Sequence, residues 1–232
     1  AASIDVISGG RVEMGIGGGW YEHEYLAYGY PFPKPSVRLG ELDEAVQIMR
    51  AMWSDAPTAS FEGKHYRIDG AISQPKPLQR PGIPLWIAGG GEQLTLRTAA
   101  RYADATNFGG DALETFRHKS DVLAGHCERE GTDFDAIHRS ANFNVITART
   151  ESEVRTKLSA VLDRMGTIDG VDTARVERMY AGAGVGTPGQ IVDLLGTYRD
   201  AGLDHAIVYF PDAAYDDESM ELFASQVMPA LR

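Results

Sequence analysis

Short apolar strands that keep alternating with amphipathic helices constrain this chain more than any other feature. Strands begin near Val12, Leu85, Ala105, Asn142 and Ala206. Between them run helical stretches with apolar residues three and four apart, such as Leu42, Val46, Met49 and Trp53. Strand, helix, strand in that rhythm implies a parallel sheet with helical crossovers, because parallel neighbours need a long connection. Five such strands suit an open doubly wound sheet. They equally suit five-eighths of a (β/α)8 barrel, which usually takes about 250 residues.

The strand ends carry the second constraint. Pro84-Leu-Trp-Ile-Ala-Gly-Gly-Gly91 runs a buried-type strand into three glycines, and a helix is expected from Glu92 and Gln93 to residue 103. Glycines there let a ligand approach the backbone, and free N–H groups at a helix start favour a phosphate. A tight turn that binds nothing is the competing reading of a lone glycine run. Two further strand ends carry glycines, at Gly17, Gly18 and Gly19 and, after Asn107 and Phe108, at Gly109 and Gly110. In parallel α/β folds ligands bind beyond the carboxyl ends of the strands. Three glycine-bearing ends on one face are therefore expected to form the site. His23, which follows Gly18, Gly19 and Trp20, is a candidate by location alone.

Other segments give local expectations. Ser36 is expected to cap a helix reaching Trp53, and residues 61–66 to form a small hairpin with Gly63 at its turn. A Tyr- and Pro-rich loop spans Tyr21 to Pro35. Thr150-Glu-Ser-Glu153 is a capping box, and Thr187-Pro188 starts a helix that ends near Gly202. Gly184-Val-Gly-Thr-Pro-Gly189 matches a dinucleotide fingerprint, with Asp212 at about the right distance. It lacks the preceding strand that the fingerprint needs, since Val171 to Gly184 reads as polar helix and loop.

Composition removes other function classes. A net charge of −11 without any Lys/Arg run argues against a nucleic-acid partner. No apolar run approaches the roughly 18 residues of a membrane span, and no signal-peptide pattern is present. The single cysteine, Cys127, falls on an apolar helix face with Phe116, Ser120 and Leu123 and reads as core. It forms no internal disulfide, so a reducing, cytoplasmic location is expected. The six histidines show no metal-ligand spacing, so no metal is expected. His65 and His118 read as solvated, and His205 as structural.

Five motifs in order resemble the bacterial luciferase-like monooxygenase superfamily. Ile7-Ser-Gly-Gly-Arg-Val-Glu-Met-Gly-Ile-Gly-Gly-Gly-Trp20 resembles its fourth-strand signature. Pro75-Lys-Pro-Leu-Gln79 with Ile83-Pro-Leu-Trp-Ile-Ala-Gly-Gly90 resembles the fifth, and Ala99-Ala-Arg-Tyr-Ala-Asp104 the motif after it. Gly186-Thr-Pro-Gly-Gln190 and Ala201-Gly-Leu-Asp204 match the last crossover. The run Trp20-Tyr-Glu-His-Glu-Tyr-Leu-Ala-Tyr-Gly-Tyr-Pro-Phe-Pro33 resembles the deazaflavin-dependent oxidoreductase subgroup.

The resemblance implies a (β/α)8 (TIM) barrel of the luciferase-like type. Its first three strands are absent from these 232 residues, so residues 1–232 form one domain of the last five βα units, with a hairpin insertion at about 58–70. It implies coenzyme F420, or alternatively FMN. Gly89, Gly90, Gly91 and Gln93, completed by Gly109 and Gly110, would hold the phosphate. Gly18, Gly19 and His23 would border the ring, and Trp20 and Tyr21 would line a substrate pocket. Related dehydrogenases carry a carboxylate where Trp20 stands, and Glu22 and Glu24 read as solvated, so the catalytic residues stay unassigned.

The implied function is hydride transfer between F420 and a small organic substrate. An FMN-dependent monooxygenase using reduced flavin and oxygen is the alternative, and a non-catalytic barrel fragment the third reading. An incomplete barrel would leave the strands near Val12 and His205 as edges. Such edges invite pairing, so a homodimer or higher homo-oligomer is expected, and the chain alone is expected to be unstable, aggregated or complemented in trans.

Overall fold

The computed structural model describes residues 1–108, 112–166, 174, 180 and 184–231. The chain divides into two compact units, residues 1–107 with 121–138, and residues 108–120 with 139–232.

In the first unit α1 (Ala2–Ser8) leads to β1 (Met14–Gly17), a short helix α2 (Glu22–Ala27) and the long helix α3 (Pro35–Trp53). A hairpin of β2 (Ala59–Glu62) and β3 (Arg67–Ala71) follows, then β4 (Leu85–Ala88), α4 (Thr95–Tyr102) and β5 (Ala105–Asn107). β1, β4 and β5 run parallel in chain order, while β2 and β3 form their own antiparallel pair. Met14 pairs with Leu85, Gly17 with Ala88, and Ala88 with Asn107. Strand alternation gives this small sheet two unlike faces. Leu85 and Ile87 are fully buried on the face that carries α4, where each contributes about 1.5–3 kcal/mol. Ile16 shares a small cavity on that face with Leu42 and Ala45 of α3. On the opposite face Gly15, Gly17 and Ala88 are exposed.

The amino ends of these strands are held by side chains. Asp5 is fully buried and accepts from the amides of Leu78 (2.8 Å) and Gln79 (3.2 Å) and from the Gln79 side chain (2.8 Å). Burial pushes the Asp5 carboxyl up, but the hydrogen bonds from Gln79 and Leu78 outweigh it and hold it below the usual range. Asp104 accepts from the Leu85 amide (2.7 Å) and from Arg50 (2.6 Å).

The helix α5 (Leu113–Glu130) contributes residues to both units. The second unit continues with β6 (His138–Asn144), β7 (Ile146–Thr147), α6 (Glu151–Gly166), β8 (Val185–Gly186), α7 (Pro188–Asp200), β9 (His205–Tyr209) and α8 (Glu218–Leu222). β6 runs parallel to β9 from Ser140↔His205 to Asn144↔Tyr209, and β7 parallel to β8. Phe116, Phe143 and Tyr198 pack edge-on at its core. The capping box at Thr150 forms, and the helix start at Thr187 proves to carry a second one. The Thr150 amide donates to Glu153 at 3.0 Å and the Thr187 amide to Gln190 at 2.9 Å.

β1 pairs only with β4, and β9 only with β6, among the described residues, so each is an edge strand. Several local expectations shift. Lys34, not Ser36, precedes α3, because Pro35 already supplies the fixed φ of a first helical residue. The supposed loop 21–35 contains α2, which has no buried residue and so no apolar periodicity to announce it. The hairpin forms with Gly63 at its turn, as the Gly63 amide bonds the Tyr66 carbonyl at 2.9 Å. Cys127 is buried. Asp212 is buried too, and its carboxylate accepts from Ser219 at 2.5 Å, which is not the open position a ribose would need. Most of Val171 to Gly184 lies outside the described residues. No helix among the described residues is long and apolar enough to cross a membrane.

Candidate functional site

The carboxyl ends of β1, β4 and β5 stand side by side in the first unit. The register places Gly17, Ala88 and Asn107 in one row, so the loops from Gly18 and from Gly89 leave neighbouring strand ends. The Gly89 amide bonds the Asn107 carbonyl at 3.0 Å, which ties the second loop to the third strand end. Gly89 holds φ +125°, a conformation side-chain-bearing residues rarely adopt. At Gly91 a Cβ would stand 2.8 Å from the Thr95 hydroxyl. Gly89 and Gly91 are exposed and Gly90 is half-buried, so this backbone faces open space.

Gln93 does not lie in the first turn of the following helix. Residues 92–94 form a turn, the Leu96 amide reaches back five residues to Gly91 at 3.0 Å, and α4 begins at Thr95. That wide turn delays the regular helix and leaves Gln93 exposed beside the glycine run.

On the neighbouring strand end, Gly18 abuts Leu39, where a Cβ would come within 2.6 Å. Gly19 has φ +70° and lies against the Tyr25 hydroxyl. Trp20 is 80% exposed and Tyr21 48% exposed. Their rings stand 5.3 Å apart, and the Tyr21 ring stands 5.8 Å from that of His23, which is also exposed. Tyr25 packs edge-on against Phe32 at 5.0 Å. Arg38 fixes the whole loop. It donates to the Gly18 carbonyl at 3.2 Å and to the Pro33 carbonyl, and it covers the Phe32 ring at 3.9 Å. Gly109 and Gly110 lie outside the described residues. Glu22 and Glu24 are exposed on α2.

Sequence reasoning missed Arg38 and Glu44. Both act on backbone atoms, which no residue pattern advertises. Glu44 accepts from the amides of Lys64 (2.7 Å), His65 (2.8 Å) and Tyr66 (2.8 Å), so α3 grips the tip of the hairpin. Burial pushes the Glu44 carboxyl up, but those three amides and the nearby His65 hold it below the usual range. A groove of about 310 Å³ opens beside this clamp, with α3, α4 and the hairpin tip as its walls. Nor is His65 merely solvated, since its ring packs on Gly40 at the edge of that groove.

The arrangement offers backbone donors at two adjoining strand ends, small residues (Gly17, Ala88) at the carboxyl end of the face that also carries Trp86 beside Gly15, and an aromatic rim. That fits an anionic group attached to a flat ring. Among the described residues no group of His, Cys, Asp or Glu could hold a metal ion.

The family model of luciferase-like monooxygenases matches residues 1–205. An FMNH2-dependent dimethylsulfone monooxygenase of Pseudomonas putida is 25% identical, over 100% of this chain and 69% of its own length. An F420-dependent glucose-6-phosphate dehydrogenase of Intrasporangium calvum is 29% identical, over 99% of this chain and 73% of its own. Among solved structures, an F420-dependent secondary alcohol dehydrogenase in complex with an F420-acetone adduct superposes with a TM-score of 0.78. It is 19% identical and is covered over 73% of its length by all of this chain.

Proposed function

The chain belongs to the luciferase-like monooxygenase family, and on that premise we propose that it is an oxidoreductase that moves a hydride between coenzyme F420 and a small organic substrate. Its relatives by sequence include both F420-dependent dehydrogenases and FMNH2-dependent monooxygenases. The observation that carries the cofactor site is the open glycine backbone at 89–91, aligned with the Gly17–Gly19 loop in the register of β1 and β4. The Gly89 amide is taken by Asn107, but the amides of Gly90 and Gly91 have no backbone partner among the described residues and suit a phosphate.

In the first unit β1, β4 and β5 neighbour one another in chain order without reversal, and in the second β6 pairs with β9 and β7 with β8, all parallel. That favours the last five units of a (β/α)8 barrel over a doubly wound sheet, whose order reverses at a switch point.

When bound, the deazaflavin supplies a carbon centre that accepts or donates a hydride. This chain's residues would hold and orient it. Gly89, Gly90 and Gly91 would receive the phosphate through their backbone, with Gln93 and, by resemblance, Gly109 and Gly110 beside them. Gly18 and Gly19 would let the ring lie close to the sheet, and His23 would border it. Trp20 and Tyr21, fixed through the Arg38-anchored loop, would shield the substrate from water.

FMN is the second reading, supported by the dimethylsulfone monooxygenase. Fluorescence titration of the purified chain with F420 and with FMN separates the two. Saturable F420 binding is expected. Micromolar FMN binding without F420 binding would reverse the order.

A further inference from the structure

The groove beside α3 and α4 has a lopsided stock of hydrogen-bonding groups. Every carboxylate oxygen around it already has a protein donor. Asp43 accepts from the Thr98 hydroxyl (3.0 Å) and the Gln47 amide (2.9 Å). Glu44 is taken up by the three hairpin amides. Glu130 is paired with Arg97 at 2.7 Å and Arg101 at 3.5 Å. The unspent groups are donors. The Lys64 ammonium and the Ser36 hydroxyl make no hydrogen bond among the described residues, and Arg97 spends only its Nε on Glu130. A wall with satisfied acceptors and idle donors selects a ligand that is all acceptor. The terminal nitrogens of Arg97 match the paired oxygens of a phosphate or carboxylate, and Lys64 adds a point charge.

The backbone that carries these donors is held in place. The Glu44 clamp fixes the backbone of Lys64, and the His65 ring packs on Gly40, where a Cβ would stand 2.7 Å from its Nε2. The groove also adjoins the strand-end loops. Leu39 on its wall fills the space beside Gly18, and Leu94 belongs to the turn after the glycine run.

We propose that this groove is an oxyanion subsite in which Lys64, Arg97 and Ser36 receive a phosphate or carboxylate, the outlying anionic end of a ligand whose body lies at the strand ends. The place of the body rests on the function proposed above; the oxyanion chemistry stands without it.

Inorganic pyrophosphate therefore serves as the probe, followed by calorimetric titration of the full chain. Saturable binding is expected, weakened about tenfold by Lys64→Met and by Arg97→Met, as for loss of one charged hydrogen bond, and restored by Lys64→Arg. Lys64 is exposed, so Lys64→Met leaves the fold intact even if Arg97→Met, which also breaks the Glu130 pair, does not. No binding to the unaltered chain overturns the subsite. So does an equal loss in Lys34→Met, which removes the same charge outside the groove, and so does binding indifferent to Lys64→Met. Titrating F420 against its tail-free deazaflavin core then separates the sources. If Lys64→Met weakens only the tailed form, the groove holds the cofactor's end. If it weakens neither while pyrophosphate binding falls, the groove holds an anion of the substrate. Pyrophosphate binding without binding of either cofactor keeps the subsite and removes the function proposed above.

Discussion

The two ends of β1, β4 and β5 are built on opposite plans. At the amino ends, buried or half-buried side chains hold the backbone. Asp5 receives Leu78 and Gln79, Gln79 also reaches the Val12 carbonyl at 2.6 Å, and Asp104 receives Leu85 and Arg50. At the carboxyl ends the row Gly17, Ala88, Asn107 opens into glycines, and the nearest large side chains, Trp20 and Tyr21, stand out in solvent. A carboxylate satisfied by several backbone amides fixes a strand end but leaves nothing to offer a ligand. Backbone amides without such a partner do the reverse. The same strands thus spend their polar groups on stability at one end and leave the backbone open at the other.

Substitutions on the two ends should separate these properties. The largest effect is expected from Asp5→Ala, which strands two part-buried amides and the Gln79 side chain. It should lower Tm by about 5 °C or more, while cofactor affinity stays within about twofold. A loss of affinity matching the loss of stability would erase the contrast. The same carboxyl carries a pH signature. Its folded pKa lies below its unfolded value, so its stabilisation is complete above about pH 4 and is lost as pH falls through the folded value. Thermal melts from pH 7 to 3 should show that acid-side slope in the unaltered chain and a shallower one in Asp5→Asn.

Next in size is Gly91→Val at the opposite end. The backbone there tolerates a side chain, and only the Thr95 hydroxyl must turn aside. Tm should move by no more than about 2 °C, whereas the affinity for the phosphate-bearing cofactor should fall about tenfold, one hydrogen bond's worth. Unchanged affinity in a fluorescence titration would move the phosphate away from the glycine run. The smallest change in stability is expected for Trp20→Ala, within about 0.5 kcal/mol for so exposed a residue. Its effect belongs in KM for the substrate, and a drop in Tm of several degrees would show that Trp20 packs rather than lines a pocket.

The carboxyl-end site was more legible in the sequence than its amino-end counterpart. A strand that runs into glycines leaves a local signature, and 17–19 and 89–91 do lie on adjoining strand ends. Asp5 left none, because its partners sit 73 and 74 residues away and two of the three are main-chain amides. For the same reason Arg38 and Glu44 were invisible. The helix α2 escaped notice because it buries nothing, and the start of α4 was misplaced because a five-residue turn follows Gly91. Helix starts marked by Thr150 and Thr187 were recovered, since a capping box is short-range chemistry between residues three apart.

The Glu44 clamp has a bearing on how such a site can diversify. It grips Lys64, His65 and Tyr66 through main-chain amides alone, so it is indifferent to which side chains those positions carry. Gly63, pressed against Glu44 and Phe61, and His65, packed on Gly40, are constrained by contact. The hairpin tip is thus an interchangeable cassette on a fixed mount. Mutation can rewrite what it presents to the groove without first having to re-solve how it is held.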